Sequence, residues 1–138
     1  MHLDLYYHDK KHDYEHDREA WIKRVEKLTA APEWIIDGNY RSTFPLRFDR
    51  ADTIIFMDFR RWRAMKGIFA RRFEYRNKLR DDMPEGWIEK IPRDFFMFVW
   101  NFNKKYRSDI VDSLSSDHYK KVIIFHRPAD AERYLKQF

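Results

Sequence analysis

The chain has 138 residues, of which 18% are aromatic and 37% charged, and it carries a net charge of +5. That length suits one domain with a core of its own beneath a heavily solvated surface, and the positive charge favours anionic partners. The absence of cysteine excludes disulfides, thiolate zinc sites and a cysteine nucleophile together.

No run approaches the length of a membrane helix, and the first residues lack a signal-peptide pattern. A cytoplasmic protein with no membrane partner is expected. Residues 1–7, Met1-His2-Leu3-Asp4-Leu5-Tyr6-Tyr7, read as the tail of a strand entering a loop, with Asp4 at its end. His8, His12 and His16 then recur every fourth residue, each followed by an aspartate or lying beside acidic residues. On a helix they would share one ridge and could chelate a divalent cation. On a solvated lead-in they would only gain charge below about pH 6.5.

Residues 18–30 predict an amphipathic helix, with Trp21, Ile22, Val25 and Leu28 as its buried stripe and Asp17 or His16 near its N-cap. Ala30-Ala31-Pro32 ends it. Glu33-Trp34-Ile35-Ile36-Asp37 is too short for a helix and reads as a fully buried strand closing on a carboxylate. Gly38 then lets the backbone turn sharply into Asn39-Tyr40-Arg41-Ser42-Thr43. In an open parallel sheet, residues just beyond a strand's carboxyl end face the ligand crevice. There Asp37 could orient a metal ion or its water, and Arg41 could fork onto a phosphate. A plainer outcome has Asp37 capping a turn and Arg41 solvated.

Thr43 can cap a short helix through Phe44-Pro45-Leu46-Arg47-Phe48, with Pro45 in its first turn. Asp52-Thr53-Ile54-Ile55-Phe56-Met57-Asp58 is a second apolar strand ending in a carboxylate. Such strands separated by helical segments predict βαβ units and a parallel sheet. Residues 60–80 are strongly basic, with Arg60, Arg61, Arg63, Lys66, Arg71, Arg72, Arg76, Lys78 and Arg80 against Glu74 alone. Trp62, Met65, Phe69 and Phe73 recur at helical spacing, which predicts one packed face and one cationic face. The cationic face would either clamp nucleotide phosphates or nucleic acid, or be merely solvated. Residues 80–86 read as a loop.

A long helix is predicted over about residues 93–115, with an apolar surface from Phe95 to Leu114 wide enough to be mostly buried. Its aromatics lie between Lys104, Lys105 and Arg107, and could stack bases if they were not core. Lys121-Val122-Ile123-Ile124-Phe125-His126 is the third strand, and Pro128 opens a closing helix, Ala129 to Gln137. Arg127 falls at that last strand's end, on the same edge as Asp37 and Asp58.

Several of these segments together carry a resemblance. His2-Leu3-Asp4, Trp34-Ile-Ile-Asp-Gly-Asn-Tyr40, Ala51-Asp-Thr-Ile-Ile-Phe-Met-Asp58, Arg80-Asp-Asp-Met83 and Trp100-Asn-Phe102 resemble, in order and spacing, the topology modulation (FlaR-type) proteins. These belong to the adenylate-kinase-like group of P-loop nucleoside triphosphate hydrolases. Asp37-Gly38-Asn39-Tyr40-Arg41 is also similar in position to the Asp-Gly-Phe-Pro-Arg element of adenylate kinases. The resemblance implies a three-layer parallel sheet flanked by helices and an ATP- and Mg²⁺-dependent phosphotransferase. It further implies a Mg²⁺-side carboxylate at Asp37, a phosphate-facing arginine at Arg41, and Asp4 orienting an acceptor hydroxyl. Arg71, Arg72, Arg76 and Arg80, in a basic lid-like segment of about 60–90, would close over ATP phosphates, with Arg127 on the same edge.

The family opens with a strand, a G-x-x-x-x-G-K-[S/T] loop and a helix, and these residues contain none of them. The only glycines are Gly38, Gly67 and Gly86, and none begins such a loop. Its backbone N–H groups, lysine and hydroxyl have no substitute elsewhere in the sequence. The expectation is therefore a single truncated or mis-started kinase-like domain over residues 1–138, inactive as it stands. The family's missing strand would lie between those ending at Asp37 and Asp58, leaving inner edges open to direct pairing, self-association or strand addition. A small phosphate acceptor or a nucleotide is the expected partner. The alternative is a non-enzymatic nucleic-acid binder that uses the basic 60–80 face.

Overall fold

The computed structural model describes residues 1–9, 11–75, 92–115 and 121–137. It is mixed α/β: seven α-helices, a 3₁₀ turn and a two-stranded parallel sheet among the described residues. These fall into two compact units, residues 1–51 and the described residues from 52 onward.

The first unit is built around aromatic rings. Its helices are α1 (Leu3–Tyr7), α2 (Arg18–Leu28) and α3 (Phe44–Arg50), and the 3₁₀ turn Arg41–Thr43 leads into α3. Asp17 caps α2 as its position predicts, its carboxylate accepting from the Ala20 N–H at 2.9 Å. Trp21 and Val25, one turn apart on α2, are buried with Leu3 and Tyr14, while Ile22 and Leu28 are half-buried. The Trp21 ring lies 5.0 Å from Tyr7, 5.3 Å from Tyr14 and 4.9 Å from Tyr40 between centroids. Its indole N–H is buried with no hydrogen-bond acceptor. Arg50 ties the end of α3 to the end of α2 by donating to Thr29 Oγ1 at 2.8 Å and the Glu26 carbonyl at 3.0 Å.

Two expectations for this unit are corrected, and one open alternative is decided. Residues 1–7 are not a strand tail: only His2 pairs, as a single parallel bridge to Asp37, and α1 begins at the next residue. The Trp34–Asp37 segment is not fully buried. Exposure alternates along it, and Ile35 is 87% exposed. One short neighbour covers one edge, with Leu3 N–H donating to the Asp37 carbonyl and Asp37 N–H to the Met1 carbonyl. An extended segment covered on one side shows this two-residue alternation. Finally, the described residues of 8–16 form turns and irregular backbone, the solvated lead-in rather than the helix, so His8, His12 and His16 share no ridge. His12 and His16 each meet the aspartate three residues earlier, Asp9 at 3.5 Å and Asp13 at 2.9 Å.

The second unit holds the sheet. Strand β1 (Ile54–Met57) pairs in parallel with β2 (Val122–Phe125), from Ile54 opposite Val122 to Met57 opposite Phe125. Both strands lie within the runs read from the sequence, and parallel pairing is what continuous β-branched runs favour. Helix α4 (Arg61–Glu74) packs on α5 (Arg93–Lys105), α6 (Arg107–Leu114) continues from α5, and α7 (Pro128–Leu135) lies against β2. Tyr134 of α7 meets Phe125 at 5.6 Å.

The sheet of this unit consists of β1 and β2. The predicted 93–115 helix is two helices, broken at Tyr106, where φ −130 and ψ −21 leave the α region. No residue of α5 is fully buried, against the expectation of a mostly buried surface. On α4 the packed face is Met65 and Ile68, whereas Trp62, Phe69 and Phe73 are 72%, 53% and 81% exposed. Helical spacing shows that these aromatics share a face; it does not show that the face is covered.

Candidate functional site

In the first unit the loop after Asp37 is held by a buried arginine that the sequence reading placed only in a helix. Arg47 donates from Nε to Thr43 Oγ1 at 3.1 Å, from Nη1 to the Gly38 carbonyl at 3.0 Å and from Nη2 to the Tyr40 carbonyl at 3.1 Å. One planar fork thus satisfies two loop carbonyls and the hydroxyl at the head of α3. Burial draws the guanidinium down to about 10, so it remains charged at neutral pH. Gly38 has φ +133, and a Cβ there would lie 2.9 Å from Leu3 Cβ. Both the backbone angle and the close approach require glycine.

Around this loop, Asp37 Oδ1 meets His2 Nδ1 at 2.8 Å, and both side chains are exposed. Tyr40 donates its hydroxyl to Asp4 Oδ1 at 2.6 Å. Burial, and then the bond to Asp4, push the Tyr40 phenol far above its ordinary value. Asp4 therefore serves as the acceptor for Tyr40, and Arg41 is exposed at the start of the 3₁₀ turn. An exposed carboxylate such as Asp37 fits a Mg²⁺ ion held mostly by waters and substrate phosphates. It does not make a dedicated cage, because no group of three or more ligating side chains gathers among the described residues.

In the second unit three elements converge on Asp58, the residue immediately after β1. Arg107, the first residue of α6, donates from Nε to Oδ1 and from Nη2 to Oδ2, each at 2.7 Å. His126, immediately after β2, places Nδ1 at 3.2 Å from Oδ2. The Asp58 side chain is 6% exposed and that of His126 is 65% exposed. The Arg107 fork holds the Asp58 carboxyl below the usual carboxylate range, burial working against it and His126 adding a smaller pull. Charge-assisted bidentate bonds of this length are the strong kind. Because β1 and β2 run in parallel, Asp58 and His126 come to the same carboxyl edge, the ligand-facing edge of open α/β sheets.

Arg127 lies at that edge as expected, but its side chain and backbone engage Asp130 at the head of α7. Its N–H donates to Oδ2 at 2.9 Å and Nη2 to Oδ1 at 3.1 Å. This is a helix-starting arrangement, reinforced by Arg133 donating to the same carboxylate at 2.6 Å. Arg71 and Arg72 are in the last turn of α4, half-buried and exposed respectively. Arg76 and Arg80 lie outside the described residues, as does the predicted loop at 80–86. The structure thus gathers Asp4, Asp37 and Tyr40 in one unit, and Asp58, Arg107 and His126 in the other. Arg47 and His126 were not singled out from the sequence, and Arg107 was named there only as a cation among the aromatics of the predicted 93–115 helix. The available signal was a polar residue directly after each apolar strand, and an arginine at the head of an apolar helix. No family model, curated protein or solved structure matches the chain.

Proposed function

We propose that this chain is part of an adenylate-kinase-like phosphotransferase of the topology modulation type, with a parallel sheet between helical layers. The observation that carries the reading is that both parallel pairings end on a carboxylate: the His2–Asp37 bridge at Asp37 and the β1–β2 ladder beside Asp58. In open parallel sheets that edge handles the ligand. Bound Mg²⁺ and ATP would supply the phosphoryl group and its charge neutralisation. Within the first unit Asp37 would hold a metal-bound water and Arg41 the acceptor phosphate; Arg71, Arg72, Arg76 and Arg80 carry a phosphate-binding role by resemblance alone. No residue is assigned the phosphate cradle, because the 138 residues contain no Gly-rich loop.

A thermal-shift titration with Mg-ATP tests this. The chain alone is expected to show no shift. The same chain preceded by a strand, Gly-rich loop and helix of the family type is expected to gain several degrees, and Asp37→Ala in that longer form to lose them. No shift in the longer form overturns the reading.

One observation favours a second reading, non-enzymatic binding of nucleic acid. Trp62, Phe69 and Phe73 are exposed on α4 beside the exposed cations Arg63, Lys66 and Arg72, the combination that stacks bases while neutralising phosphates. Its test is the anisotropy of a labelled oligothymidylate across a salt series. Affinity falling steeply with salt, and falling by about 1–3 kcal/mol in Phe73→Ala, would support it. Unmeasurable binding at low salt would remove it.

A further inference from the structure

The cluster at Asp58 has a feature that a structural ion pair does not need. An ionised carboxylate can only accept, and the Arg107 fork keeps Asp58 ionised. The His126 Nδ1 lies 3.2 Å from Oδ2, so it is the ring nitrogen that gains from carrying the proton when the ring is neutral. That leaves the lone pair on Nε2, on a side chain that is mostly exposed. Three other histidines also meet an aspartate through Nδ1: His2, His12 and His16. In those pairs both partners are exposed, and two of them are local contacts within one turn. Among these four pairs of the described residues, that at His126 has a buried carboxylate, clamped by a second residue and supplied by a different strand.

We propose that Asp58 and His126 form a proton-transfer dyad at the carboxyl edge of β1 and β2. His126 Nε2 accepts the proton of a substrate hydroxyl, and Asp58, held by Arg107, positions the ring. The substrate class is a hydroxyl compound, with water as its smallest member. In the step the hydroxyl O–H bond breaks as its oxygen bonds to the carbonyl carbon of an ester, the proton forms an N–H bond at Nε2, and collapse of the tetrahedral adduct breaks the ester C–O bond and releases the alcohol, which takes the proton back. The Nδ1 proton stays on the ring beside Asp58, whose charge stabilises the imidazolium without taking that proton. The inference stands apart from nucleotide binding and needs no residue of the first unit.

p-Nitrophenyl acetate tests it on the full chain, because water needs a base to attack the ester and the product is coloured. The wild type is expected to hydrolyse it about tenfold or more faster than H126Q. D58N is expected to fall with H126Q, while H16Q keeps the wild-type rate. Equal rates for the wild type and H126Q, or an undiminished rate in folded D58N, overturn the proposal. Since D58N removes a buried partner and could fail to fold, the wild-type His126 tautomer, read by long-range ¹H–¹⁵N NMR, is the second measurement. A neutral ring protonated mainly at Nδ1 is expected, and one protonated mainly at Nε2 overturns the dyad.

Discussion

Gly38 and Arg47 act on the same loop from opposite directions. Gly38 permits a backbone angle of φ +133 within van der Waals reach of Leu3, and Arg47 fastens the Gly38 and Tyr40 carbonyls from within. A methyl group at Gly38 meets both the unfavourable angle and the Leu3 side chain. Gly38→Ala is therefore expected to lower the chemical-denaturation midpoint by an amount equivalent to about 2–3 kcal/mol. A change below about 0.5 kcal/mol would show that the loop does not need this geometry. In the second unit the same scale governs pH. Asp58 has its folded pKa lowered by Arg107, so the pair contributes in full above the unfolded carboxylate value, about 3.9. That contribution is lost as pH falls from there through the folded value, because the unfolded chain takes up the proton first. Arg107→Met is expected to cost about 2–3 kcal/mol at pH 7, less than a fully buried pair because Arg107 is partly exposed. Its deficit relative to the wild type should shrink in urea melts taken below pH 4. A deficit independent of pH would mean that the loss is packing, not charge.

Among the elements, α4 shows why spacing alone misleads. Met65 and Ile68 are buried and Trp62, Phe69 and Phe73 are not, though all five are apolar residues of one helix. Trp62 still meets Trp100 edge-on at 5.1 Å, and Arg61 stacks over that ring at 4.8 Å, so a largely exposed ring can still anchor the helix to its neighbour. Phe73→Ser is accordingly expected to change the thermal midpoint by less than about 1 °C, because the side chain is exposed and the substitution leaves its backbone bond to the C-cap Tyr75 in place. Met65→Ala should cost about 2–4 kcal/mol through the cavity it leaves. Matching losses in the two variants would place Phe73 in a packed environment. The break at Tyr106 matters as much, because it starts α6 afresh at Arg107 and brings that arginine onto Asp58.

For the molecule as a whole, the consequence lies in the sheet. A parallel pair normally has both faces covered, yet Ile55 and Met57 of β1 are about half exposed. Strand β1 has a ladder on one edge only among the described residues. Open apolar edges recruit further strands. In sedimentation velocity the purified chain is expected to move from its monomer mass of 17.3 kDa toward larger species as concentration rises. Ideal monomer behaviour at high concentration would show that the edge is protected. No helix among the described residues is long and apolar enough to cross a membrane.

Local order in the chain was written into its residues. The β-branched runs at 54–57 and 122–125, the Asp17 cap, the Trp21 and Val25 stripe, and Pro128 at the start of α7 follow from propensity, capping and period, which act over a few neighbours. The glycine at 38 was legible for the same reason. What the tertiary structure alone decided is which of those elements are covered and which charges meet. The run at 33–37 has the composition of a buried strand, but burial depends on a second neighbour that no local rule supplies. Arg47, Arg107 and His126 matter because folding brings them to partners 9, 49 and 68 positions away in the chain: the Gly38 carbonyl and the Asp58 carboxylate. Contacts at such separations leave no periodic trace in a sequence.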